Sequence, residues 1–382
     1  MNRSEIKSFT RNPPIVITGL TFLAVLGFVF VTHLVNRFAE QQKALARHLY
    51  AQGMADRESG NPDRAVEDFR TAVFYSRDNF EYQLALARAL RDTGRTTEAE
   101  AYLITLWEHS PQDGAVNLAL ARLSARQNSL DKTIQYYHNA IYGVWPFDAD
   151  ASRLNAWFEL IETLLRMNAR PQAQAELITL SAELPHRVDL QLRAADLFMT
   201  AQDYEHALAE YRLILRSDRD NGKALEGAGE ASFHLARFND AERYLQAVVN
   251  SKDSEAGRLL ELTRMVLASD PLDRRLSSSE RNRRVHAAFD RAGDRLQACG
   301  KTRGLDLQNQ STSGNLAQLN VRWMDLKPQL MRRSSANNDE VLNSTIDLVF
   351  QIEQETEKQC GAPTGIDEAL LLLAQNHAGV EP

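Results

Sequence analysis

The chain has 382 residues, a formal charge of −7 and a pI near 5.8, which leaves room for two or three folding units and a large buried core. That acidity excludes a broad phosphate-binding surface, so no nucleic-acid partner is expected. Two cysteines, Cys299 and Cys360, with no CxxC pair, exclude a disulfide-dense scaffold and a zinc ribbon.

Residues 1–14 form a short polar tail, and residues 15–35 form an apolar run without one charged side chain. As a helix, that run spans roughly 31 Å, enough to cross a hydrocarbon core of about 30 Å. A cleaved signal has a shorter apolar region, about 7 to 15 residues, that ends on small residues. Here the run closes on Thr32-His33-Leu34-Val35-Asn36, so a transmembrane helix in a lipid bilayer is expected. Arg3, Lys7 and Arg11 precede the run and Arg37, Lys43 and Arg47 come after it, so counting basic residues does not fix its orientation. Residues 36–45 contain no Gly or Pro and predict a helical linker that joins the anchor stiffly to residue 46 and beyond.

From residue 46 to residue 253 a small residue returns at a fixed interval. Ala65, Ala99, Thr133, Ala173, Ala207 and Ala241 are separated by 34, 34, 40, 34 and 34 residues. Four positions after each stands a bulky side chain (Phe69, Leu103, Tyr137, Leu177, Tyr211, Leu245), and three further on Ala72, Leu106, Ala140, Leu180, Ile214 or Val248. Offsets of four and seven share one helical face. Twelve positions before the marker stand Gly53, Ala87, Ala121, Ala195 and Gly229, where two helices must approach closely, with Ile161 the departure. Gly60-Asn61, Gly94, Asn128 and Asn168 supply turns, and Pro111 and Pro185 close two of the units.

A period of 34 residues is one helix-turn-helix unit, and these landmarks resemble the tetratricopeptide repeat family. The resemblance implies six units, at 46–79, 80–113, 114–153 with an insertion, 154–187, 188–221 and 222–253, stacked as a superhelical solenoid whose first helices line a concave groove for a peptide or protein partner. Matching the family's layout puts Tyr50, Leu84, Leu118, Phe158, Leu192 and Glu226 at the first helix's fifth position, and Arg88 and Arg122 at its ninth. Members that grip a C-terminal carboxylate carry lysine and asparagine there, so this sequence departs from that clamp. An apolar strip beside Arg88, Arg91 and Arg122 suits a peptide with hydrophobic anchors and an acidic residue; the alternative is that these arginines neutralise Glu81 or Asp92. The insertion, around Tyr142-Gly143-Val144-Trp145-Pro146-Phe147, predicts a structured loop, with Trp145 and Phe147 either touching a partner or plugging the joint.

Residues 254–272 predict the capping helix that a repeat stack needs at its end. Residues 273–382 predict a small helical bundle, in which no family motif is recognised. Its first helix opens at Ser277 with capping-box spacing to Glu280 and ends at Cys299-Gly300, with Val285, Phe289 and Leu296 inward. Residues 301–314 read as a loop. A second helix extends to Met331, carrying Leu316, Leu319, Trp323 and Leu326, with Pro328 kinking or ending it. A third spans Asn338 to Cys360-Gly361 around Leu342, Ile346, Val349 and Ile352 or Phe350, and a last one, Ile366 to His377, is capped by Thr364 and Gly379. If these helices run up, down and up, Cys299 and Cys360 meet at one end of the bundle as a disulfide; two unpaired thiols are the alternative.

Catalytic chemistry finds no support. Gly300-Lys301-Thr302 resembles the end of a phosphate loop, but Arg295 stands where the motif needs glycine, after a helix and not a strand. The histidines are scattered, and no nucleophile elbow is present. The basic run of Arg274, Arg275, Arg281, Arg283 and Arg284 is interrupted by Asp273 and Glu280, and reads as a solvated helix face or as a contact for an acidic partner or anionic lipid. The expectation is therefore an all-α, membrane-anchored interaction protein without cofactor or metal. It faces outward from a bacterial inner membrane or, as the alternative, faces the cytosol from an organelle surface as a receptor for targeting peptides.

Overall fold

The computed structural model describes residues 13–248, 254–307, 314–332 and 339–378. The expectations that rest on Arg3, Lys7, Arg11, the capping Gly379 and the end of the sixth repeat at residue 253 lie outside them. Every regular element among the described residues is an α-helix, and the chain divides into two compact units, 1–173 and 174–382.

The first unit begins with a single helix, α1 (Pro13–Glu58). Its apolar half is exposed among the described residues: Ile17, Leu20, Phe22, Leu23, Phe28 and Phe38 are all more than half exposed. Among the described residues it is the one helix long and apolar enough to cross a membrane. From Ala46, which is fully buried, the same helix enters the protein core, and no break separates span, linker and first repeat. Gly53 shows why a small residue is needed there, since a Cβ would lie 2.8 Å from the Phe69 ring on α2 (Pro62–Tyr75).

The hairpins continue with α3 (Phe80–Asp92) and α4 (Thr96–His109), then α5 (Gly114–Arg126) and α6 (Leu130–Ile141), then α7 (Ala149–Arg166), with α8 (Arg170–Glu183) crossing into the second unit. The periodic positions form their core. Ala65, Ala99, Phe69, Leu103, Ala87 and Ala121 are sealed from solvent, and burial of this kind supplies roughly 25 cal/mol per Å² of apolar surface. Thr133 stands where the other units carry alanine, and its buried hydroxyl donates to the Ser129 carbonyl at 2.7 Å. The Asn79 and Asp113 side chains accept from the backbone N–H of Tyr82 and Val116, satisfying two helix-start donors. Gly60, Gly94, Asn128 and Asn168 all take positive φ in the turns.

The second unit repeats the design with α9 (Val188–Thr200), α10 (Tyr204–Ser217), α11 (Gly222–His234) and α12 (Phe238–Val248), then α13 (Glu255–Ser269). The rest is α14 (Ser278–Thr302), α15 (Asn315–Leu330), α16 (Asp339–Cys360) and α17 (Ile366–Ala378). The expected inward residues are buried except Leu326, which is half-buried against the same core, and Phe350 and Ile352 are both inside. α13 packs on the last repeat, Ala256 and Leu260 against Ala241 and Leu245, and its Val266 also shares an apolar cluster with Phe238 and with Val285, Phe289 and Leu370 of the bundle. Two expectations need correction. α14 continues to Thr302, because Arg303 N–H bonds the Cys299 carbonyl and Gly304, at positive φ, provides the stop instead of Gly300. The first hydrogen bond of α17 closes on Gly365, not Thr364, through the Ala369 N–H. Pro328 lies inside the last turn of α15, which ends two residues later.

Candidate functional site

The apolar strip expected along the first helices is core. Phe158 is completely buried, and Leu84 and Leu118 retain under a tenth of their surface. Tyr50 is half-buried, stacked on Tyr82 at 4.8 Å and against Phe69 at 5.7 Å. Phe158, Leu84 and Leu118 are thus inside the unit, while Tyr50 stays partly at the surface.

The arginines define a different kind of site. A cavity of about 460 Å³ in the first unit is lined by Arg91, Arg122, Arg126 and Arg166, with Tyr137, Thr163 and a single carboxylate, Glu159. Arg91, Arg126 and Arg166 occupy the last turns of α3, α5 and α7, where a cation also suits the helix dipole. Arg122 is not a free groove charge: its Nε and Nη2 each reach a Glu159 oxygen at 2.6 Å. The Tyr137 hydroxyl donates to Glu159 Oε1 at 2.9 Å. Burial works to raise the Glu159 carboxyl, but the hydrogen bonds and charge of Arg122 outweigh it and hold the group below the usual carboxylate range. Arg91 pairs with Asp92 at 2.7 Å, as the neutralising alternative expects, while Glu81 pairs with none of these arginines.

Arg88 does not line the cavity. Burial first, then the neighbouring charges of Arg122, Arg91 and Arg57, bring its guanidinium down to about 10. Arg88 Nε and Arg91 Nη1 are both buried with no hydrogen-bond partner among the described residues. Arg126 and Arg166 are not singled out by the sequence reading, although both stand seven before their unit's marker, a register that signals them.

Of the insertion's three aromatics, Trp145 and Phe147 go separate ways. Trp145 lies over Gly114, where a Cβ would sit 2.3 Å from the indole, and its Nε1 donates to the Ala140 carbonyl at 2.9 Å. The loop is further pinned by the Gly114 N–H on the Val144 carbonyl. Trp145 is thus the plug, while Phe147 is 83% exposed and remains available for contact.

In the second unit α9 and α11 carry acid. Asp196 accepts from the Tyr211 hydroxyl at 2.6 Å, and burial, then Glu255, Glu226 and Asp196, raise the Glu230 carboxyl. Cys299 and Cys360 form a disulfide with Cα atoms 5.8 Å apart. Four arginines of the basic run pair within the unit: Arg275 with Asp273, Arg281 with Asp339, and Arg283 and Arg284 with Glu280, and Arg284 also donates to the Leu267 and Asp270 carbonyls at the end of α13.

An all-α array of helix hairpins with small residues at its crossings defines a helical-repeat protein. Family models described as tetratricopeptide repeat match residues 56–123 and 192–256, so each of the two units carries tetratricopeptide repeats. Among solved structures, it is similar to pilF of Pseudomonas aeruginosa, at 15% identity over 57% of this chain and 97% of that one, TM-score 0.38. PilW, described as a type IV pilus biogenesis factor, matches at 15% identity over 56% and 96%, TM-score 0.38. A tetratricopeptide repeat protein of Parabacteroides merdae matches at 12% identity over 64% and 92%, TM-score 0.38.

Proposed function

We propose that this chain is a membrane-anchored scaffold that holds protein partners on its repeats, on the outer face of a bacterial inner membrane, in envelope assembly, secretion or cytochrome maturation. Proteins of this family mediate protein–protein interaction. The observation that carries the membrane part is α1, whose exposed apolar half is continuous with the first repeat's first helix. A helix of that composition is stable in hydrocarbon, where all its backbone groups are satisfied internally, and is a liability in water. The disulfide supports the outward orientation, since such bonds persist in the periplasm and are rare in the cytosol. It weighs against the cytosol-facing receptor. The reading assigns no catalytic step to the chain.

Topology reporters fused after residue 382 test it. A reporter active only outside the cytoplasm is expected to score, with the protein resisting extraction from membranes by alkaline carbonate. An active cytoplasmic reporter would overturn the orientation, and release by carbonate the anchor.

A further inference from the structure

The cavity lined by Arg91, Arg122, Arg126 and Arg166 holds more guanidinium than its own carboxylate satisfies. Both Glu159 oxygens are occupied by Arg122, and one takes Tyr137 as well. Asp92 sits outside the lining, 2.7 Å from Arg91 and 3.8 Å from Arg126. That leaves Arg91 Nη1 buried without an acceptor and, one turn earlier on α3, Arg88 Nε in the same condition. A buried donor left unmade is destabilising, more so on a charged group. Positive charge is therefore concentrated here beyond what folding uses, on a chain whose overall charge is −7.

We infer that this cavity receives an acidic side chain, Asp or Glu, from an extended segment of a protein partner, held by Arg91, whose Nη1 has no acceptor, and by Arg126, whose Nη1 donates to the Arg91 carbonyl and whose Nη2 lies 3.8 Å from Asp92. The inference rests on the scaffold reading for the existence of a partner. About 460 Å³ admits one or two side chains and excludes a folded domain. Guanidinium pairs carboxylate through two parallel hydrogen bonds, and the Arg122–Glu159 fork already shows that geometry inside the cavity. Glu159, the one carboxylate in the wall, is already paired with Arg122, and the phosphoserine arm of the test below separates a carboxylate guest from a phosphate. The guest group is an internal side chain, because the lysine and asparagine positions used to grip a chain terminus are Leu84, Arg88, Leu118 and Arg122 here.

Fluorescence anisotropy of the full chain in detergent micelles tests this, with a short peptide of alternating Glu and Ser, amidated at its C terminus, and matched peptides carrying Gln or phosphoserine in place of Glu. The Glu peptide is expected to bind at least about tenfold tighter than the Gln peptide and to weaken with salt. Arg91→Gln with Arg126→Gln is expected to lose about tenfold, and Glu159→Gln, which frees Arg122, to gain affinity. Equal binding of Glu and Gln peptides, tighter binding of the phosphoserine peptide, or no effect of either variant overturns the inference. Cross-linking in cells separates the two readings. Wild-type chain that binds the Glu peptide but cross-links to no protein would remove the scaffold and leave the pocket. Partner cross-linking undiminished in Arg91→Gln/Arg126→Gln would remove the pocket and leave the scaffold.

Discussion

Breaking the Cys299–Cys360 bond should loosen the bundle selectively. The two cysteines are 61 residues apart, and closing a loop of that length lowers the entropy of the unfolded chain enough to stabilise the fold by about 4 kcal/mol in the chain-entropy model. The bond joins the ends of α14 and α16, whose packing through Phe289, Leu296, Val349 and Ile352 survives its removal, so secondary structure should persist while the stability margin shrinks. With a urea slope of about 2 kcal/mol per M for a unit of this size, the loss corresponds to a midpoint lowered by about 2 M. Urea-dependent hydrogen exchange, read separately in α14 and α16 and in α3 to α6, gives the transition of each unit in the same sample. The expected result is a large shift in the first set on reduction, or in the Cys299→Ala/Cys360→Ala variant, and none in the second. A shift below about 0.3 M, an order less than the chain-entropy figure, would refute the reasoning. So would finding both thiols free to alkylation in protein taken from unreduced cells.

Other outcomes rest on the same geometry. A Cβ on Gly227 would lie 2.2 Å from the Tyr211 ring, which is buried and tied through its hydroxyl to Asp196. Gly227→Ala should therefore destabilise the α10–α11 region by about 1–3 kcal/mol even after the helix-propensity gain of about 1 kcal/mol, and unchanged exchange there would refute the close packing. Burial pushes the Glu353 carboxyl up to about 8 despite Arg295 at 3.1 Å. With the folded value above the unfolded one, the native state binds the extra proton, so bundle stability should fall as pH rises from about 4.5 to about 8 and level beyond. Glu353→Gln should flatten that slope, and a wild-type stability flat across this window would contradict it. Removal of residues 1–36 should give a chain that stays helical without detergent, because α1 becomes core only from Ala46; pelleting of this form with membranes in high salt would count against a single anchor.

The repeat architecture was legible because its signal is local. Every marker from Ala65 to Ala241 is sealed from solvent, and offsets of four and seven are fixed by helix geometry alone. The site was only half legible, because its pairings are not local. Arg122 and Glu159 are 37 residues apart across the insertion, a distance no helical period predicts. Phe158 and Leu84 were assigned to the groove by family position, yet which side of a first helix faces the next depends on the packing of neighbouring units. In the insertion, an aromatic loop could be foreseen, but choosing Trp145 over Phe147 as the plug required seeing the space above Gly114.

The 46 residues of α1 make a rod of about 69 Å that is both tether and building block. On the proposed reading, the ten residues between the span and the core hold the first repeat about 15 Å from the hydrocarbon edge, with no swivel. Proteolytic shedding could not release an intact repeat array by cutting beyond Ala46, since the cut would fall within a helix that the first hairpin needs. Any pull or rotation applied to a captured partner would be passed along the rod into the bilayer, so the anchor would act as a lever fixed at both ends and not as a leash.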